Sequence, residues 1–257
     1  MLILLPPSEG KAAPDAGPPL VLQELSYPEL NDRRAELLGH LIKLSGGSPT
    51  QALERLGLTA GQVGELDRNA TLLTAPTARA DSVYTGVLYQ HLGLAALPAK
   101  ARARAETNLR IASALWGVLA PSDQIPAYRM SIGAKLGGIG GLAPWWRPAL
   151  ITRLPREGLV VDLRSAAYGA MWRPAGVTFV SVRAFVQGSD GRRKPISHMA
   201  KATRGEVAAA LLTAASVAKD PEAVADVVAA TGARVELVGG QEAWTLDVIK
   251  LAGAGQQ

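Results

Sequence analysis

The sequence predicts a mixed α/β fold, a central mixed sheet surrounded by helices, with a small helix-hairpin-helix-like appendage. Three observations carry this. Short apolar runs bounded by Pro and Gly alternate along the chain with longer segments of helical spacing. Hydrophobic residues make up 48% of the 257 and charged residues 19%, enough apolar material for a sizeable core. No repeat, low-complexity tract or linker divides the chain, so residues 1–257 read as one domain, with the helical appendage at about 28–70.

Each element has its own signal. Leu2, Ile3, Leu4 and Leu5 form an apolar run ended by Pro6 and Pro7, as expected of a buried first strand. Residues 12–28 are rich in Pro and Ala and read as loop. Leu30, Leu37, Leu38, Leu41 and Ile42 approximate helical spacing over 28–45. Two short helices, about 48–56 and 59–68, are expected on either side of Gly57-Leu58-Thr59, in the order of a helix-hairpin-helix. Such a module presents turn N–H groups to DNA phosphates, although a plain helical hairpin has the same pattern.

Further along, 81–92 reads as a helix capped by Asp81, and 98–116 as a long helix with Pro98 at its start. Pro121 and Pro126 break 117–132 into a loop. The Gly-rich run 137–141 is followed by a helix over 144–154. Strands are expected at 158–163 and 177–186, helices at 197–216 and 221–231, and closing strands at 235–238 and 243–249.

Composition excludes several classes. There is no cysteine, hence no disulfide framework, thiolate metal site or cysteine nucleophile. No cofactor is expected. Three histidines make a poor basis for zinc. No Walker-type phosphate loop occurs, and the glycines at 137–141 neither follow a strand nor lead to an acidic residue on a second strand. The apolar start stops at Pro6, too short for a secretory signal, and no run has the ~18 apolar residues of a membrane span. A cytoplasmic protein without a membrane partner is the expectation.

Net charge is +5, and the segment from Arg183 to Arg204 alone carries six basic residues against Asp190. Like charges this close favour an anion or solvent between them. Three polar clusters stand out against the apolar background. Ser8, Glu9 and Lys11 follow the first strand, where open α/β sheets place ligands. A proline-pinned loop carries Tyr128 and Arg129, a hydroxyl and a planar fork suited to phosphate or carboxylate. Ser197, Lys201 and Arg204 lie on a helix whose start attracts anions, with Lys201 and Arg204 one turn apart. Ser8-x-x-Lys11 formally matches a serine–lysine enzyme motif, but Gly10 sits between them and no Lys-Thr-Gly follows.

These clusters, in this order, resemble the YaaA family, the peroxide stress protein family. Leu2 to Lys11 matches the family's opening, and Tyr84-Thr85-Gly86 its Val-Tyr-Thr-Gly element. Leu115 to Pro121 with Pro126-Ala127-Tyr128-Arg129 and Gly133 resembles its Leu-Tyr-Gly-x-Leu-x-Pro…Pro-Tyr-Arg…Gly block. Asp162-Leu163-Arg164-Ser165-Ala166-Ala167-Tyr168 resembles its Asn-Leu-Ala-Ser-x-Glu-Tyr, and Ile196 to Gly205 its Ile-Ser-x-x-Ala-Lys-x-x-Arg-Gly. Trp116 stands where Tyr is common, and Ala167 where an acidic residue is common. The resemblance implies a compact mixed α/β fold with a helix-hairpin-helix appendage, a positively charged cleft, DNA binding, and protection from peroxide by limiting free iron.

Two readings of the site follow. In one, DNA is the partner, contacted by the hairpin and the basic cleft. In the other, the chain is an enzyme acting on a nucleotide, nucleobase or other anionic small molecule. Ser8, Lys11, Tyr84, Thr85, Arg129, Ser165, Tyr168, Ser197, Lys201 and Arg204 would bind the anion, and Glu9, Lys11, Tyr128 and Asp162 would be the catalytic candidates. A third reading, iron sequestration, would need Glu9, Asp123, Asp162 and Glu242 to converge.

Overall fold

The computed structural model describes residues 1–173, 175–188, 192–195, 197–240 and 243–251, with backbone only for 194, 195, 197–199 and 251. The strands are β1 (Leu2–Leu5), β2 (Ala78–Arg79), β3 (Leu109–Ser113), β4 (Gly117–Leu119), β5 (Gln124–Ile125), β6 (Leu159–Asp162), β7 (Thr178–Gln187), β8 (Arg193–Pro195), β9 (Arg234–Gly240) and β10 (Ala243–Leu251). The α-helices are α1 (Asn31–Ser45), α2 (Pro49–Leu56), α3 (Gly64–Ala70), α4 (Ala80–Val83), α5 (Val87–Leu92), α6 (Ala99–Asn108), α7 (Leu142–Arg153), α8 (Ala166–Gly169), α9 (Ser197–Thr213) and α10 (Pro221–Ala229).

The predicted mixed α/β architecture is the one observed. The main sheet runs β4-β3-β1-β6-β7-β10-β9, with β8 paired to β7, while β2 and β5 form a separate two-stranded ribbon. From β3 through β10 the pairings are parallel, and β4 and β9 are antiparallel additions at the two ends. Strand β1 is apolar on both faces, with all four residues buried, which is what a central parallel strand covered by helices requires. It lies between β3 and β6, so the chain leaves it first to one side and later to the other. In open α/β sheets this reversal opens a crevice beyond the strands' C-terminal ends.

Several boundaries differ from expectation. The long helix over 98–116 is α6 followed by β3: the chain turns extended at Leu109 and pairs in parallel with β1. Leu109, Ile111 and Ala112 are buried in the sheet. A short apolar run has no periodicity that separates a buried strand from a buried helix. The helix over 81–92 is two helices, α4 and α5, interrupted at Tyr84–Gly86, where Gly86 takes a positive φ of 98°. Asp81 is therefore inside α4 rather than its cap, and binds Arg79 at 2.7 Å. The loop over 117–132 contains β4 and β5. The basic residues of 98–116 do not share one helix face. Arg110 lies on β3, and Arg104 donates to the carbonyls of Leu211, Leu212 and Ala214 at the end of α9.

The segment expected as two short helices, about 48–56 and 59–68, forms α2 and, starting later than expected, α3. Pro49 starts α2, Gly57 closes it in the left-handed region at φ 66°, and a 3-10 turn over Ala60–Gln62 leads into α3. Helices α1, α2 and α3 pack on one another. Arg34 of α1, fully buried, fastens them to the sheet: its guanidinium donates to the carbonyls of Ser26, Tyr27, Trp116 and Val118 and to Asn31 Oδ1.

Candidate functional site: a polar cleft beyond the central strands

Residues that follow β1 and β6 line a cleft of about 520 Å3, within the ~300–1,000 Å3 of small-molecule sites. The loop after β1 is held in place by its neighbours. Lys11 forms a β-bridge with Tyr84, Ala12 N donates to Val83 O at 2.9 Å, and Thr85 N donates to Ser8 Oγ at 3.0 Å. Ser8, Glu9, Lys11, Thr85, Arg129, Ser165, Tyr168, Lys201 and Arg204 all face this cleft, and Gly57 and Leu58 of the appendage form part of its wall. Segments almost 200 residues apart in sequence thus line one cleft.

Under the cleft lies an aromatic floor. Tyr84 and Tyr128 are buried, with hydroxyls 2.9 Å apart. The Tyr128 hydroxyl is also 2.7 Å from Ser113 Oγ, which accepts from Trp116 N. Tyr84 stacks on Tyr89, and Tyr128 packs edge-on against Trp116. Burial pushes the phenols of Tyr84, Tyr89, Tyr128 and Tyr168 up, so all four stay protonated at neutral pH and act as hydrogen-bonding groups, not bases.

Lys11 rests on this floor. Its Nζ is 4.1 Å from the centre of the Tyr128 ring and 5.4 Å from that of Tyr84, and it donates to Ser8 O at 2.9 Å and Glu9 O at 3.4 Å. Burial, and next the nearby Arg129 guanidinium, push the Lys11 ammonium down to about 7 against the partial support of Glu65 and Glu9. Arg129 donates to Glu9 O at 3.0 Å and to the Glu9 carboxylate at 3.3 Å, while Glu9 itself is largely exposed. Arg204 of α9 also lines the cleft. Its buried Nε has no hydrogen-bond partner, and desolvation pushes the guanidinium down against the attraction of Asp162. A buried, unfulfilled guanidinium donor costs free energy that a bound oxyanion would relieve.

Not every candidate faces the cleft. Tyr84 and Tyr128 lie beneath it. Asp162 stands behind its wall, with both carboxylate oxygens taken by the buried Arg164 at 2.7 and 3.1 Å. The Ser197 side chain, Asp190 and Glu242 lie outside the described residues. Of the remaining proposed iron ligands, Asp123 instead accepts from Ser26 N, Ser26 Oγ and Ala120 N. Among the described residues no group of three His, Asp or Glu side chains could hold a metal ion. Ala167 is exposed on α8.

A sequence model of the family described as "Peroxide stress protein YaaA" matches residues 1–232. The chain belongs to this family. Similar curated proteins of the same group include a UPF0246 protein of Streptomyces coelicolor, 42% identical over 97% of this chain and 98% of its own length. A UPF0246 protein of Corynebacterium efficiens is 39% identical over 94% and 97%, and one of Corynebacterium glutamicum 37% over 92% and 95%. YaaA family membership associates the chain with peroxide stress, and four of the motif segments that carried the resemblance, those with Lys11, Thr85, Ser165 and Arg204, line the cleft, as does Arg129.

Three residues that hold this YaaA-family cleft together carry no motif signal of their own. Asn69 of α3, fully buried, both accepts from Arg129 N and donates to Arg129 O at 2.8 Å. Ser113 anchors the Tyr128 hydroxyl. Arg164 occupies Asp162. A poor helix former on the buried face of a helix, three residues after Leu66, is the only hint Asn69 leaves in the sequence.

Proposed function

We propose that this peroxide-stress-family protein binds a small anionic molecule in the cleft and acts on it as an enzyme, with a nucleotide, nucleobase derivative or other phosphate- or carboxylate-bearing compound as substrate. The observation that carries the reading is Arg204, whose buried Nε has no hydrogen-bond partner and which lines a cleft together with Arg129, Lys201 and Lys11. In this reading Arg204, Lys201 and Arg129 grip the anion. Ser8, Thr85, Ser165 and the half-buried Tyr168 orient it, and Ser197 belongs to the same anion set. Lys11, deprotonated in part at neutral pH, is the proton-transfer group. Tyr128 supports it from beneath. Glu9 and Asp162 act through their arginine partners. Protection from iron damage would then follow from what the reaction consumes or makes.

A second reading, a DNA-binding stress protein of the cytoplasm, has one observation in its favour: the Gly57–Leu58 turn of the helix-hairpin-helix-like appendage borders the same basic cleft. Against it, the N–H groups of Gly57 and Leu58 already close α2 by donating to Glu54 O and Leu53 O, so they are not free for phosphates.

Thermal-shift titration separates the readings. Small anions should raise the melting temperature at moderate salt, by mass action, and Arg204→Ala should abolish the shift. A response to duplex DNA alone, fading steeply with salt, would instead establish the second reading.

A further inference from the structure

We infer that the cleft takes an organic carboxylate or phosphate with a hydrocarbon body, and that Leu58 of the helical appendage selects that body. The inference rests on the reading of the cleft as a small-anion site and narrows the ligand of that site.

The cations of the cleft are not equivalent. Arg129 already has a carboxylate, that of Glu9, at 3.3 Å. Arg204 has a buried Nε without a hydrogen-bond partner, and the carboxylate that attracts it, Asp162, has both oxygens bonded to Arg164. Lys201, one turn before Arg204, is exposed and also lines the cleft. An anionic head is needed at this pair.

Much of the remaining lining is apolar. Leu56 and Leu58 come from the appendage, Val87 and Leu88 from α5, and Met130 from the segment after β5. Gly205, the residue after Arg204, packs on the Leu88 backbone, so the apolar wall begins beside the cations. Main-chain groups along this wall are already paired. Pro6 and Pro7 have no N–H, and Pro6 O accepts from the Tyr89 hydroxyl at 2.8 Å. The N–H groups of Gly57 and Leu58 donate to Glu54 O and Leu53 O, Thr85 N donates to Ser8 Oγ, and Gly86 O accepts from Gln90 N. A nucleobase against such a wall would leave hydrogen-bonding atoms of its edge unmatched, which weakens binding. Hydrocarbon gains there by leaving water. Leu56 is nearly enclosed by the core, whereas Leu58 is half-buried, so Leu58 holds the apolar surface that the appendage still has to offer a ligand. The left-handed turn at Gly57, φ 66°, leads the chain into that position.

The test is isothermal titration of the full chain at moderate salt with two matched series. Propionate, pentanoate and heptanoate share a head and differ in tail. Inorganic phosphate, phenyl phosphate and adenosine 5′-monophosphate share a phosphate and differ in body. Affinity should rise roughly threefold for each added methylene, and phenyl phosphate should bind about tenfold tighter than inorganic phosphate and at least as tightly as the nucleotide. Leu58→Ser should lower the ratio of phenyl phosphate to inorganic phosphate affinity by roughly threefold or more, and Leu58→Met, which keeps the apolar surface, should retain it. Anions that bind alike whatever their body would overturn the inference and leave the small-anion reading standing. So would a nucleotide that binds tenfold tighter than phenyl phosphate. A ratio unchanged in a folded Leu58→Ser variant would overturn the role of Leu58. If no anion binds, the inference and the small-anion reading both fall. Both series are read on the unsubstituted protein, so the outcome for the hydrocarbon body does not depend on any variant folding.

Discussion

Gly205 of α9 lies against the backbone of Leu88 in α5 so closely that an added Cβ would come within 2.2 Å of the Leu88 carbonyl oxygen. It would also meet His91 Cβ and Leu92 N at 2.9 Å. The two helices touch where one has no side chain, and Arg204 and Lys201 are carried to the cleft by that contact. A helix interior disfavours glycine, so its presence here answers a packing need. This gives the Arg-Gly pair of the sequence motif a physical reading: one residue for the ligand, the next for the approach that places it.

Gly205→Ala is therefore expected to cost about 1–3 kcal/mol, the range for overpacking a tight contact. The backbone on both sides is helical and cannot yield locally. Anion binding should weaken more than stability alone explains, because α9 must move with Arg204. Denaturant unfolding and thermal-shift titration on the same variant check the two effects.

Arg34→Met should be among the most damaging single changes. It would leave four carbonyls and the Asn31 amide oxygen without their donor in a buried place. The expected loss is about 3–5 kcal/mol, or roughly 10 °C in melting temperature. Arg34→Lys should recover little, since an ammonium cannot reach five acceptors in a planar fork. Calorimetry of both variants is the check.

Lys11 makes stability depend on pH in a defined window. It titrates at about 7 when folded against 10.5 in its ordinary state. Below about 7 both states are protonated and the fold bears the full cost of an enclosed cation. Between about 7 and 10.5 the unfolded chain binds the extra proton, so stability rises with pH. Arg129, Arg68, Glu65 and Glu9 are the charges facing it. Lys11→Met should thus be more stable than the parent near pH 6, by on the order of 1 kcal/mol after allowing for the water that reaches a half-buried chain, or about 2–4 °C. The advantage should shrink toward pH 10. Melting curves across that range would show a flat difference if the amine carried its proton throughout.

Asn69→Ala should free both backbone groups of Arg129. Two lost buried hydrogen bonds correspond to about 1–3 kcal/mol of stability. If Arg129 grips the ligand, anion affinity should fall by roughly tenfold, a loss of 1.4 kcal/mol. Affinity equal to the parent's in a folded variant would show that Arg129 takes no part.

How much of the fold and of the cleft is legible in the sequence follows from how each residue type signals. Ser8, Lys11, Arg129, Lys201 and Arg204 are visible because polar residues in fixed motifs interrupt apolar runs, and the sheet then brings those interruptions together. Residues 109–113 are not visible as a strand, because so short a stretch has no decisive periodicity and follows α6 without a break. Arg34 looks like any surface arginine on an amphipathic helix. Its role depends on carbonyls of Trp116 and Val118, 82 and 84 residues away, that no local pattern announces. Asn69 is hidden for the same reason. Lys11 reads in the sequence as a cation for the ligand, and only its burial, with the Arg129 guanidinium nearby, brings its titration down to about 7.

The place of β1 in the sheet also bears on how the protein is made. Strand β1 is made before both of its neighbours, residues 109–113 and 159–162. At synthesis rates of about 5–20 residues per second, an apolar strand spends on the order of ten seconds or more without either edge satisfied. A nascent chain cut short before residue 159 would keep one edge of β1 open for good, and an open apolar edge invites pairing with another chain. Chaperone contact with residues 2–5 until residue 162 has been made is the expected remedy, and products cut short before residue 159 should aggregate where the 257-residue chain does not.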